Sequence, residues 1–204
     1  MIFLAGGKLW HIALVSAPAV AGVVAAIRMS PERMERITAF WYPWDYRSDG
    51  ALQLIESMTG FVRGGLRGMG LGAGEQKLYW LPDAHSDFIF SVWGEEMGLA
   101  GTLALVTLFG LFLVVSLCIA VCARDLFGTL LASGVATLIT VQAAANMGVT
   151  TGLLPTKGLG LPFVSAGGSS LVMNMMLVGI LLSVGSRAVE RDIPAPIASA
   201  PRRA

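Results

Sequence analysis

Four stretches of the chain stay apolar for about the ~20 residues that a helix needs to cross a bilayer. The first covers about 9–28 and carries no charge from Leu9 to Ile27. Pro18 sits in its middle and is expected to kink it, which membrane helices tolerate. The second covers about 88–122, with no charge from Met97 to Ala123. The third covers about 126–149 and follows a tight turn at Arg124 and Asp125. The fourth covers about 168–187, opened by Gly167-Gly168-Ser169-Ser170. This pattern predicts an all-α integral membrane protein of about four transmembrane helices.

The connections differ in character. Residues 29–87 form a long polar loop. It begins with charge, passes through Trp41-Tyr42-Pro43-Trp44, and then repeats Leu52, Ile55, Met58, Phe61 and Val62 at helical spacing. Tryptophan and tyrosine favour the membrane boundary, and a short amphipathic helix lying at the interface fits the repeat. Gly64 to Gly74 follows as a glycine-rich run. It reads equally as a flexible turn or as a backbone cradle for phosphate; no strand precedes it, so it is not a dinucleotide fingerprint. Residues 150–167 are apolar but broken by Gly152, Pro155, Gly158, Gly160 and Pro162. Irregular backbone at membrane depth must be buried in protein or line a wet cavity, so the segment reads as a re-entrant loop. Lys157 is its only charge. The tail, 188–204, is polar and contains proline, and is expected to be disordered.

Composition narrows the class. The chain is 55% hydrophobic and 13% charged over 204 residues, about half the charge of a soluble domain. A net charge of +1 argues against a nucleic-acid surface. Cys118 and Cys122 lie one turn apart inside an apolar helix, which suits packing better than a disulfide or a metal. Four spans put both termini on one side. Lys8, Arg124, Arg187, Arg191, Arg202 and Arg203 mark that side as cytoplasmic.

The chemistry collects at the start of the second span. Asp87 stands at its mouth, with His85 before it and Glu95 and Glu96 two turns on. Carboxylates so close to hydrocarbon cost several kcal/mol and mark a functional site or, more plainly, cap a helix N-terminus. A helix continuous from Asp87 would stack Gly94, Gly98 and Gly101 beneath it. That glycine stripe would admit a second helix at close range. Gln142 and Asn146 share a face of the third span, for hydrogen bonding between helices or for lining a polar cavity with Pro155. A carboxylate can take the proton of an attacking sugar hydroxyl. Arg67, Lys77, Lys157, Ser165 and the Gly167, Gly168, Ser169, Ser170 helix start offer charge or N–H groups to a diphosphate leaving group.

Leu81-Pro82-Asp83-Ala84-His85-Ser86-Asp87-Phe88-Ile89-Phe90 with Gly94-Glu95-Glu96-Met97-Gly98 resembles the SEDS family (shape, elongation, division, sporulation). Gly152-Leu153-Leu154-Pro155-Thr156-Lys157-Gly158-Leu159, Leu161-Pro162-Phe163-Val164-Ser165 and Gly167-Gly168-Ser169-Ser170 resemble it too. Ala84 before His85, and Gln76-Lys77-Leu78, bring the chain closer to division members than to elongation members. The resemblance runs to about Arg187 and covers the C-terminal part of a ten-helix bundle. Ala166 stands where the family usually has tyrosine. The resemblance implies a peptidoglycan glycosyltransferase polymerising lipid II on the outer face of the bacterial cytoplasmic (inner) membrane, at the division septum. It implies Asp87 as the essential acid, with Glu95, Glu96 and His85 supporting it. It also implies a divalent cation, Mg²⁺ or Mn²⁺, with Asp87 as a candidate ligand. The implied partners are a class B penicillin-binding protein and other membrane proteins of the division machinery. A lipid-precursor flippase and a non-catalytic scaffold remain as competing readings of the same residues.

Overall fold

The computed structural model describes residues 9–45, 49–74 and 87–189. Among these the chain is entirely helical, in six helices joined by irregular segments. Helix α1 spans Leu9–Met29 and contains Pro18. Helix α2, Pro31–Trp41, starts with proline in its first turn, where a missing N–H costs nothing. Helix α3 spans Asp49–Gly64, α4 Ile89–Cys122, α5 Leu126–Thr150 and α6 Gly168–Val189. Asp125 caps α5 by accepting the Gly128 N–H at 3.3 Å.

Helices α4, α5 and α6 are long and apolar enough to cross a membrane; the apolar part of α1 described here, Ala13–Met29, is shorter. Only 22%, 39% and 11% of the apolar windows of α4, α5 and α6 are buried within the chain. Their outer faces carry Leu108, Leu111, Val121, Val141, Val172 and Met175 to the surroundings. In water such a surface would aggregate; in a bilayer it is solvated by lipid or by other helices.

The core lies where α4, α5 and α6 meet the irregular loop 151–167. Phe90, Leu105 and Phe109 of α4 pack with Ala132, Val135, Ile139 and Ala143 of α5, Leu161 of the loop and Leu181 of α6. Small residues on α5 bring its backbone close to α4.

Two features depart from the sequence expectation. Helix α3 buries Ala51, Leu54, Ser57, Gly60 and Gly64, while Leu52 and Val62 are exposed. It is therefore packed into the bundle, against α4 and α5, with Met58 and Phe61 of its apolar repeat turned inward and the ends of the repeat left out. Its small residues make this approach: a β-carbon on Gly64 would fall 2.1 Å from the Gly94 carbonyl oxygen.

The second departure is in α4, which is not one continuous helix. Gly98 adopts φ 65°, ψ −162°, a region essentially reserved for glycine. The break interrupts the ladder of main-chain bonds, and the glycine-rich run fills the gap. Met69 N–H donates to Glu95 O at 3.0 Å, Gly70 N–H to Glu96 O at 3.0 Å, and Leu99 N–H to Gly65 O at 2.9 Å. The Trp93 indole N–H reaches across the break to Gly101 O at 2.9 Å. Part of the run's backbone is thus tied to α4, through Gly65, Met69 and Gly70.

Candidate active site

The helix expected to begin beside Asp87 begins at Ile89, with Phe88 at its N-cap and no side chain capping it. Asp87 lies in the preceding turn, so the projection of Gly94, Gly98 and Gly101 beneath it does not apply. The turn is held from outside. Asn146, in the last turns of α5, is 1% exposed. Its Nδ2 donates to Asp87 O at 2.7 Å and also to Leu159 O in the loop. One turn earlier, Gln142 Nε2 donates to Gly160 O at 3.0 Å. These two amides, expected between helices or on a cavity wall, instead satisfy carbonyls of irregular backbone. That is how a broken segment survives among apolar helices.

The Asp87 side chain is half-buried and faces the same loop. A β-carbon on Gly158 would lie 3.0 Å from Asp87 Oδ2, so the carboxylate sits directly over the glycine. Lys157, the neighbouring residue, is exposed, as are Pro155 and Gly158. The structure therefore brings the acid to the surface of the Pro-Gly loop, beside the loop's one cation.

The two glutamates occupy a different place. Glu95 is six residues into α4, about 9 Å along the axis from its start. It is fully buried, with Oε1 4.0 Å from Arg63 Nη1. A β-carbon on Gly74 would lie 2.8 Å from Glu95 Oε2 and 3.2 Å from Glu96 Oε1. Both acids therefore face the end of the glycine-rich run, at the break in α4. Arg67, exposed, belongs to that same junction: a β-carbon on Gly98 would lie 2.9 Å from its carbonyl carbon. Arg63, exposed itself but within ion-pair distance of the buried Glu95, is the cation that the sequence reading missed. It stands on α3 in a run where its partner, 32 positions on, cannot be read from spacing.

The remaining expected residues fall as follows. Ser165 Oγ accepts the Leu161 N–H at 2.6 Å, closing the turn in which Phe163 holds φ 65°. Its hydroxyl is committed to the loop. Gly167 N–H donates to Ser165 O, and Leu171 N–H to Gly167 O. Gly168, Ser169 and Ser170 open α6 at the exposed surface, and Asn174 Nδ2 lies 3.5 Å from Ser170 Oγ. His85 and Lys77 lie outside the described residues. Among the described residues no three His, Cys, Asp or Glu side chains gather as a metal set would.

Further along α4, that helix and the loop line an apolar groove of about 420 Å³ between Leu105, Phe109, Phe112, Pro162 and Phe163. A lipid tail or another apolar helix suits such a wall.

Comparison with known proteins agrees with the architecture. The family model for the FtsW, RodA and SpoVE cell cycle proteins matches residues 1–190. A probable peptidoglycan glycosyltransferase FtsW from Geobacter sp. (strain M18) is 46% identical over 187 residues, covering 92% of this chain and 51% of its own length. Stage V sporulation protein E of Bacillus subtilis is 40% identical over 184 residues, covering 90% of this chain and 50% of its own length. A solved structure described as the structural coordination of polymerization and crosslinking by a peptidoglycan synthase complex superposes with a TM-score of 0.68 at 30% identity. It covers 88% of this chain and 50% of that one. The chain spans about half the length of the curated relatives it matches. With 190 of its 204 residues matched, it belongs to the FtsW/RodA/SpoVE family of cell cycle proteins.

Proposed function

We propose that this chain carries the acid-bearing half of a peptidoglycan glycosyltransferase, which polymerises lipid II outside the cytoplasmic membrane during cell division. The observation that carries the reading is the seat of Asp87: a carboxylate in the turn before a membrane helix, over Gly158 and beside Lys157. The relatives named as probable peptidoglycan glycosyltransferases support it.

Asp87 is the general base. It takes the proton of the acceptor sugar's 4-hydroxyl as that oxygen attacks the donor's anomeric carbon. The new C–O bond forms as the bond to the lipid diphosphate breaks, with inversion at the carbon. The departing diphosphate is already stable and needs its charge balanced more than it needs a proton. Lys157, next to Gly158 in the chain, is assigned that part, with Arg67 and the α6 start as further candidates. A bound Mg²⁺ or Mn²⁺ would supply the same neutralisation. The described residues offer Asp87 as a candidate ligand but no three-residue set, so no step is assigned through a metal. Glu95 and Glu96 support the site through the break in α4 and its loop, at a distance from the reacting atoms.

A class B penicillin-binding protein is the expected partner. The structural neighbour that couples polymerization with crosslinking supports this. The setting is the bacterial inner membrane at the septum, with other division proteins.

The test is Asp87→Asn in the full-length enzyme, reconstituted with labelled lipid II. Loss of a general base predicts a fall of roughly 10²–10⁴-fold in glycan strand synthesis. Polymerisation at the wild-type rate would remove the base assignment. Labelled monomer crossing the vesicle without polymer would favour the flippase, and neither product would favour the scaffold.

A further inference from the structure

Asn146 makes two bonds that nothing in its own helix requires. Its single Nδ2 joins the main chain of Asp87 to that of Leu159, two segments 72 residues apart. Both acceptors are carbonyls, which cannot donate, so the amide orientation follows from its neighbours. The turn it holds has no side-chain cap of its own. Asn146 is in turn braced by hydroxyls. Thr150 Oγ1 donates to Asn146 O at 3.1 Å, Ser57 Oγ to Thr150 O at 2.7 Å, and Ser91 Oγ to Ser57 O at 2.7 Å. This chain of bonds ties α3, α4 and α5 together under the site. The other half of the amide, Oδ1, is buried, and among the described residues no hydrogen-bond donor reaches it.

We propose that Asn146 is the positioning residue of the active site. It fixes the Asp87 turn against the Pro-Gly loop, so that the carboxylate and Lys157 meet one substrate in a set geometry. The inference rests on the glycosyltransferase reading, and it assigns Asn146 no contact with the reacting atoms. A displacement of about 1 Å can lower turnover a hundredfold while substrate binding is kept.

Asn146→Leu keeps the branch at Cγ and the number of heavy atoms and removes both N–H donors. In the full-length enzyme with lipid II as substrate, kcat should fall by about 10–100-fold with KM within about twofold. Amide hydrogen exchange across residues 155–162 should speed up, since Leu159 O loses its donor. Asn146→Gln, which retains the donor on a longer arm, should recover part of the kcat. Unchanged kcat and unchanged exchange in Asn146→Leu would overturn the proposal. So would a loss confined to KM, or a Gln variant no better than Leu. If Asn146→Leu does not fold, Asn146→Asp replaces it as the near-isosteric donor deletion, read by the same kcat and exchange. Asp87→Asn is run beside them. A fully active Asp87→Asn breaks the functional reading itself; a dead Asp87→Asn with a fully active Asn146→Leu breaks only the positioning role.

Discussion

Replacing Gly98 with alanine separates two pictures of α4 by the sign of the effect. Were the helix continuous there, alanine would stabilise it by about 1 kcal/mol, because glycine costs that much in a helix interior. The observed backbone demands the opposite. At φ 65°, ψ −162° a side chain costs about 1–3 kcal/mol from local strain. The new β-carbon would also fall 2.4 Å from Gly68 N and 2.9 Å from the Arg67 carbonyl carbon. These are main-chain atoms and cannot swing aside like a side-chain tip. Relieving the clash means withdrawing the glycine-rich run. That puts at risk the three bonds from Met69, Gly70 and Leu99, each worth about 1 kcal/mol. The sum is roughly 4–6 kcal/mol of destabilisation. For a chain of this size that lowers the unfolding midpoint by on the order of 10 °C. The assay is a thermal melt of the purified protein in detergent, wild type against Gly98→Ala. An unchanged or raised midpoint would show that α4 runs straight through residue 98, and the account of the break would fall.

Two further outcomes follow from buried polar groups. Arg63→Met should destabilise more than Glu95→Gln, by about 1–3 kcal/mol in chemical unfolding. The first leaves a fully buried carboxylate without its cation. The second leaves a guanidinium whose side chain is 38% exposed and can reach water. Equal effects would mean that the pair is solvated as an ordinary surface pair. Ser57→Ala should cost about 1–2 kcal/mol, since Ser57 is fully buried and its hydroxyl serves Thr150 O at 2.7 Å. A neutral result would remove the hydroxyl chain from the account of what braces α5.

The membrane helices were legible because charge sets their ends. Arg124-Asp125 separates α4 from α5, and the glycine and proline run after Thr150 stops α5 whatever packs around it. The loop's irregularity was legible for the same local reason. The fate of its carbonyls was not. Gln142 and Asn146 declare a shared face by their spacing, but a main-chain acceptor at Leu159 or Gly160 leaves no mark in the sequence. Gly98 shows the same gap. A glycine in an apolar helix reads as a close-packing position, and only the main-chain donors and acceptor arriving from residues 65–70 turn it into a break. Helix α3 misled by its larger residues: Leu52 and Val62 complete an apolar stripe on paper, while Ala51, Ser57 and Gly64 make the actual approach. Asp87 was legible as an acid at a helix mouth. The burial of Glu95 and Glu96 against the glycine-rich run was not, since residues distant in sequence supply that contact.

The seam between the glycine-rich run and α4 is sewn with main-chain atoms, so it is indifferent to most side chains that border it. Leu66, Met69 and Leu71 point outward, 73%, 46% and 75% exposed, while Gly64, Gly68 and Gly98 admit no β-carbon. A saturation scan should therefore show a comb: intolerant teeth at the glycines, permissive gaps between. Those gaps give evolution a stretch of outward lettering that can be rewritten to suit different neighbours while the join beneath stays shut.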